Sequence, residues 1–283
     1  MTAILGIIGY PIGHSISPVF QQAALDHYGI DASYRAFEVA PGRVGKFVED
    51  LRRPKVLGIN VTVPHKEAVI PYLDEVDDWA TIAGAVNTIV NRDGRLTGHN
   101  TDGSGFLSAL QEAGGFTPGG KLALILGAGG AARGVVLALV RANVSGLTIA
   151  NRTMERGQRL AELALSQGVD SRAITLGGDE LTTAAGSAAL IVNCTTIGMS
   201  HGPDETGALL SREQIPASAL VNDLVYNPME TPLLRAAHQA GAATLGGIHM
   251  LVYQGAASFK MWTGQEAPVA VMLEAATRAM AAR

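Results

Sequence analysis

A chain of 283 residues is longer than one hydrophobic core usually serves, so two domains are expected. Hydrophobic residues make up 47% and charged residues 16%, which excludes a disordered chain. The net charge of -4, without a long basic block, excludes the electrostatic footprint of a nucleic-acid binder. The single cysteine, Cys194, permits no intramolecular disulfide and suits a reducing compartment.

Taken in chain order, the N-terminal MTAILGIIGYPIG lacks a basic n-region and meets Pro11 early. It reads as a first strand rather than a signal peptide, and the protein as cytoplasmic, with no membrane partner. SPVFQQAALDHYG reads as a helix, with Ser17 suited to its N-cap and Pro18 to its first position. ASYRAFEV reads as a strand, GRVGKFVEDLRR as a helix, and VLGINVTV as a strand stopped by Pro64, which cannot donate to a ladder. Such alternation predicts parallel strands with crossover helices. Lys66 then stands at a strand tip. Two polar clusters follow, each beside an apolar run and flanked by glycine: GAVNTIV, with Asn87 and Thr88, and GHNTDGSGF, with Asn100, Thr101 and Asp102.

A second α/β unit begins near Lys121. KLALILGAGGAARGVVLALVRANVSGLTIANR reads as strand, glycine turn, helix, strand. Gly127, Gly129 and Ala132 fit G-x-G-x-x-G/A, with glycines for the tight turn and for close approach of a pyrophosphate. Free N–H groups of the helix N-terminus, around Ala128, Gly130 and Ala131, then face that anion. At the tip of GLTIA, where an NAD site places an acid for the ribose 2′-OH, this chain has Asn151, Arg152 and Thr153. Arg152, with Arg156 one turn on, offers positive charge to a 2′-phosphate, so NADP is the expected cofactor. AALIVNCTTIGM and ALVNDLVYNP are further strands with polar tips; Cys194 lacks an activating motif and reads as a buried filler. The last segment, PVAVMLEAATRAMAAR, looks helical and is expected to return to the first domain.

Each polar residue of the first domain has an ordinary alternative. Lys66 reads as a solvated first-turn lysine, Asp102 as an N-cap or Asx-turn residue, and Asn87 as a partner for turn backbone. Their combination narrows the reading. GYPIGHSISP, NVTVPHK, GAVNTI, HNTDGSGF, GAGGAAR, NRT, NCTTIGM, DLVYNPMETPLL and GGIHMLVYQGAASFKMWTG occur in order along nearly the whole chain. In this the sequence resembles the shikimate dehydrogenase family.

The resemblance implies two α/β domains with a cleft between them. A substrate domain with a mainly parallel sheet would comprise residues 1–104 with 247–283, and a Rossmann-type NADP domain residues 105–246. It implies reversible reduction of 3-dehydroshikimate to shikimate by NADPH, with Lys66 and Asp102 as the catalytic pair. Ser15 and Ser17 would hold the substrate carboxylate; Thr62, Asn87, Tyr226 and Gln254 would complete the substrate site. Thr195, Met199, Leu224 and Gly247 would join the glycine turn and Asn151–Arg156 in holding the cofactor. Gln21 departs from the histidine that relatives often carry. His65 reads as structural, and no metal is expected, since the seven histidines show no ligand spacing. The expected partner is a small molecule, and a monomer or homodimer is left open. A quinate or dual-specificity dehydrogenase, an enzyme for an amino-substituted shikimate, and a non-catalytic NADPH-binding sensor remain as alternatives.

Overall fold

Apolar AILGIIG forms β1 (Ala3–Gly9), whose last five residues are buried. The computed structural model describes residues 2–282. They fall into two compact units. One runs to Gly105 and resumes at Val252; the other is Phe106–Leu251. The second crossing thus falls inside the helix Gly247–Thr263, five residues past its start, rather than at residue 247.

In the first unit, β2 (Ala32–Glu38), β3 (Gly58–Val61), β4 (Glu75–Val76), β5 (Thr88–Arg92) and β6 (Arg95–His99) join β1 in the order β2-β1-β3-β5-β6-β4. β1 runs parallel to β2 and β3, but β5 is antiparallel to both β3 and β6. The sheet is therefore mixed. For β5 and β6 the reason is local: Asp93 (φ 52) and Gly94 (φ 86) form a two-residue turn that returns the chain directly, with no room for a crossover. Ile8, Val48, Ile59, Val61, Val69, Ile89 and Leu96 form this unit's core.

Two local expectations change. The strand expected over VLGINVTV is only four residues long, and Lys66 lies in the turn beyond it, past the cis Val63–Pro64 bond. Ser17 is not an N-cap but the first residue of the helix Ser17–His27, with Ile16 before it at φ -96, ψ 0. The stretch around Ile16 is thus not extended. The Ser15 hydroxyl accepts the Ser17 N–H at 3.2 Å, and Pro18, in the first turn, has no N–H to satisfy.

The second unit holds β7 (Leu122–Leu126), β8 (Gly146–Asn151), β9 (Ser171–Thr175), β10 (Leu190–Asn193), β11 (Leu220–Asp223) and β12 (Ala243–Gly246). Their order is β12-β11-β10-β7-β8-β9, with every pair parallel. Strand order reverses between β7 and β10, where doubly wound sheets open a crevice at their carboxyl ends. Leu124, Leu126, Ala150, Ile191, Val221 and Leu233 are among the residues packed in this core. Among the described residues no helix is long and apolar enough to cross a membrane.

Candidate functional site

In the first unit the antiparallel placement of β5 decides what meets. Asn60 of β3 pairs with Thr88 of β5, and Thr88 pairs with His99 of β6. The start of β5 therefore lies beside the ends of β3 and β6, and Asn87, Lys66 and Asp102 gather at one edge. Lys66 is anchored there by its carbonyl, which accepts the Val86 N–H at 2.8 Å. Its Nζ donates to Asp102 Oδ2 at 2.6 Å. The other carboxylate oxygen, Oδ1, accepts Asn87 Nδ2 at 2.8 Å.

Asn87 is buried, and its amide orientation is forced. Its Oδ1 accepts the Thr101 backbone N–H at 2.8 Å, a group that can only donate. Nδ2 is left for Asp102, for Thr101 Oγ1 at 2.9 Å and for Gln254 Oε1 at 3.3 Å. Gln254 comes from 152 residues beyond Asp102 in sequence. Its approach depends on Gly105: a Cβ there would lie 2.5 Å from the Gln254 backbone nitrogen. Asp102 opens the helix Asp102–Ser108 and does not cap it; Thr101 takes the first helical bond, from the Gly105 N–H at 2.9 Å.

Thr62 and Ser15 lie at neighbouring strand ends. Thr62 follows β3 and is half-buried; a Cβ on Gly9, the last residue of β1, would lie 2.7 Å from its methyl. Ser15 belongs to the loop after β1 and is half-buried, whereas Ser17 is buried. His65 is buried, with Nε2 2.6 Å from the Val39 carbonyl. A carbonyl only accepts, so Nε2 carries the hydrogen. His65 braces the turn and faces away from Lys66 chemistry. Gln21 is buried, and its Nε2 donates to the Gly255 carbonyl at 2.9 Å, one residue from Gln254.

The second unit has its own concave edge. Gly127 has φ +104, and a Cβ on it would lie 2.9 Å from the Thr195 methyl. The glycine turn of β7 and the loop after β10 therefore touch at the strand-order reversal. Gly129 and Gly130 are exposed, and a Cβ on either would meet nothing within 4 Å. The helix Gly130–Arg141 starts there with no side-chain cap and no acid in its first turn. Its terminal N–H groups and dipole favour an anion. Ala128 is half-buried, Ala131 exposed, and Ala132 wholly buried between helix and strand. Arg152, Thr153 and Arg156 are exposed beyond β8, and Asn151 Nδ2 donates to the Thr153 carbonyl at 2.7 Å, shaping that turn. These residues fit a phosphorylated dinucleotide: an open glycine edge for the pyrophosphate and exposed cations beyond the next strand.

Leu224 and Gly247 meet directly, because a Cβ on Gly247 would collide with the Leu224 carbonyl. Met199 and Tyr226 are half-buried in the loops after β10 and β11. Sequence reasoning missed Asn193 and Asp223, which organise those loops. Asp223 is buried and accepts from Asn193 Nδ2 at 2.8 Å, the Val225 N–H at 3.0 Å and the Thr231 hydroxyl at 2.6 Å. Burial pushes its carboxyl above the usual range, against the lowering effect of those three donors. Asn193 Oδ1 in turn accepts from Thr195 N–H at 2.9 Å and its hydroxyl at 2.7 Å. An acid ending an apolar strand, as in VND, was the available signal. Cys194 is half-buried, and burial with the nearby Asp223 charge pushes its thiol far up, which suits an inert residue.

Comparison with known proteins follows this division of the chain. Residues 7–89 match the shikimate dehydrogenase substrate binding domain. Residues 111–200 match the shikimate / quinate 5-dehydrogenase model, and 247–277 the shikimate 5'-dehydrogenase C-terminal domain. The shikimate dehydrogenase (NADP(+)) of Methanopyrus kandleri is 47% identical over 97% of this chain and 94% of its own. This chain belongs to the shikimate dehydrogenase family. The enzyme of the same name from Moorella thermoacetica is 46% identical, over 99% of this chain and 95% of its own. The Thermus thermophilus shikimate 5-dehydrogenase, solved with NADP(H) and shikimate, superposes with a TM-score of 0.87 at 38% identity, covering 98% of this chain and 100% of that one. As in that family, both units of this shikimate dehydrogenase homologue are α/β, and its second sheet is wholly parallel.

Proposed function

We propose that this protein catalyses the reversible reduction of 3-dehydroshikimate to shikimate with NADPH. The single observation that carries the reading is the Lys66–Asp102 bond at 2.6 Å, with Asn87 and Gln254 beside it. NADPH, when bound, supplies the hydride. As the carbonyl carbon receives it, the carbonyl oxygen becomes an alkoxide and needs a proton. Lys66 Nζ gives that proton, and in the oxidation direction takes it from the substrate hydroxyl. Asp102 fixes Nζ and balances its charge. Asn87 holds Asp102 in place, Gln254 offers an amide to ring hydroxyls, Thr62 a hydroxyl, and Ser15 a hydroxyl toward the carboxylate. Ser17, wholly enclosed as a helical residue, serves through its place beside Ser15.

The unit running to Gly105 and resuming at Val252 is thus the substrate unit, and Phe106–Leu251 the nucleotide unit. Gly127–Ala131 would hold the pyrophosphate, and Arg152 with Arg156 the 2′-phosphate, while Thr195, Met199, Leu224, Tyr226 and Gly247 line the nicotinamide side. The Lys66 cluster is drawn from one chain, so a monomer suffices and a homodimer is compatible. A lone, inert Cys194 suits a cytoplasmic enzyme. The deciding experiment is NADP⁺ reduction by the pure protein with shikimate and quinate in parallel. Turnover on shikimate at least about tenfold more efficient than on quinate is expected, since quinate's extra hydroxyl must find a partner or be buried unpaired. Comparable efficiency on both acids would transfer the reading to a dual-specificity dehydrogenase, and no reduction with either would end it.

A further inference from the structure

A chain of hydrogen bonds leads from Asp102 into the interior of the same unit. Its members beyond Asp102 are Asn87, Thr88, Asn60, Ser258 and Tyr34, and all five are buried. Tyr34 touches neither Lys66 nor Asp102, yet its hydroxyl donates to Asn60 Oδ1 at 2.7 Å. Burial pushes this phenol well above its ordinary value, so it remains a donor. An amide has one acceptor end and one donor end. The Asn87 carbonyl only accepts, so it sets Asn60 Nδ2 facing inward, 3.1 Å from that carbonyl, 3.0 Å from Ser258 Oγ and 3.1 Å from Thr88 Oγ1, and leaves Oδ1 for Tyr34.

Thr88 carries the polarity onward. Its Oγ1 accepts from Asn60 and donates to Asn87 Oδ1 at 3.0 Å. Ser258 Oγ lies 2.7 Å from Thr88 Oγ1 and 3.1 Å from the Gln254 carbonyl, and shares its one hydrogen between them when Thr88 donates to Asn87. Asn87 Nδ2 then points at Asp102 Oδ1. Every donor runs in one direction, from the phenol to the carboxylate. Hydrogen bonds aligned this way polarise one another in a low-dielectric interior. Reversing Asn87 would set its oxygen against Asp102 Oδ1 and its NH2 against the Thr101 N–H, and reversing Asn60 would set its oxygen against the Asn87 carbonyl.

We propose that Tyr34 and Thr88 are positioning residues of the reaction: beside the Thr101 N–H and the Asn87 carbonyl, which set the two orientations, their hydroxyls hold the Asn60 and Asn87 amides in place so that Asp102 receives an N–H on the oxygen that Lys66 does not use. The inference rests on Lys66–Asp102 being the proton-transfer pair. Its effect falls on turnover, because the residues reach substrate only through Asn87 and Asp102.

The test uses the full chain with Tyr34→Phe, Thr88→Val and Thr88→Ser, beside Lys66→Ala as reference. Steady-state NADP⁺ reduction with shikimate is measured well below each variant's melting transition. Tyr34→Phe and Thr88→Val should each lower kcat roughly tenfold, the scale of one buried hydrogen bond. The KM for NADP⁺ should stay at the parent value, and Thr88→Ser, which keeps the hydroxyl, should restore kcat. Parent-like kcat in Tyr34→Phe and Thr88→Val beside an inactive Lys66→Ala overturns the positioning role alone. Thr88→Ser as impaired as Thr88→Val does the same, since packing rather than the hydroxyl would then matter. Should Tyr34→Phe not fold, the Thr88 pair decides. Parent-like turnover in Lys66→Ala overturns the proton-transfer reading and this proposal together.

Discussion

Replacing Asp102 by asparagine keeps the size of the side chain while removing its charge and one of its acceptors. In the parent, Oδ2 accepts Lys66 Nζ at 2.6 Å and Oδ1 accepts Asn87 Nδ2 at 2.8 Å. Asparagine has one oxygen and one NH2, so one of these contacts becomes donor against donor whichever way it turns. Asn87 cannot rotate to relieve it, because its Oδ1 is held by the Thr101 N–H at 2.8 Å. A hydrogen bond to a charged group is worth about 1.5–3 kcal/mol, or roughly 10- to 150-fold in rate. The Lys66 and Asp102 side chains are 30% and 21% exposed, so water screens the pair and the lower half of that range applies to the contact itself. Displacing Lys66 from the reacting oxygen adds to it, since acid–base groups contribute about 10²–10⁴-fold. A fall in kcat of about 10²-fold is therefore expected, with a smaller change in the KM for shikimate. The assay is steady-state NADP⁺ reduction at saturating shikimate, with circular dichroism to show that the variant is folded. A folded Asp102→Asn protein turning over within about threefold of the parent would refute the reasoning, because so small a loss falls below one charge-assisted bond.

Four further outcomes are expected. Arg152→Ala should weaken NADPH by roughly one to two decades and NADH far less, measured by fluorescence titration; equal losses would remove Arg152 from recognition of the 2′-phosphate. Gly127→Ala forces a side chain onto φ +104 and a methyl to within 2.9 Å of Thr195, so it should cost about 1–3 kcal/mol in denaturant unfolding. Gly129→Ala, at φ -94 with open space around its Cβ, should leave unfolding unchanged yet weaken NADP⁺, and unaltered affinity would mean the pyrophosphate does not rest there. His249 has its value lowered from 6.5 by burial, and its buried Nδ1 has no hydrogen-bond partner among the described residues. Its folded form therefore resists the proton that the unfolded chain takes up, so stability falls as pH drops below about 6.5 toward the lowered folded value. His249→Leu should flatten that part of the unfolding profile; an unchanged slope would show that another group sets it.

Local chemistry carries as far as local geometry does. AILGIIG spans β1 residue for residue, because seven apolar residues between turn signals leave little choice of state. The GAGGAAR segment was legible as a tight turn from strand into helix, since strand, glycine spacing and helix all lie within one short stretch. Between β5 and β6 the first sheet departed from a parallel alternation because of Asp93-Gly94, a two-residue hairpin signal within the sequence. Ser17 read as a cap from its neighbours, but the helix starts one residue earlier, with Ile16 before it, and Ser15 takes the Ser17 amide.

The sequence alone thus determined the α/β class, the glycine turn between strand and helix and the identity of the polar residues available for chemistry, because each of these depends on spacing along one segment. The tertiary structure decided which of those residues act on one another. Lys66, Asn87, Asp102 and Gln254 lie on four separate segments, and they meet because β5 runs antiparallel beside β3 and because Gly105 lets the helix bearing Gln254 come close. The donor order from Tyr34 to Asp102 was likewise invisible in one dimension. Hydrogen-bond direction depends on which buried groups face each other, and Tyr34, Asn60, Thr88 and Ser258 face each other only after the sheet and the helix Gly247–Thr263 have packed.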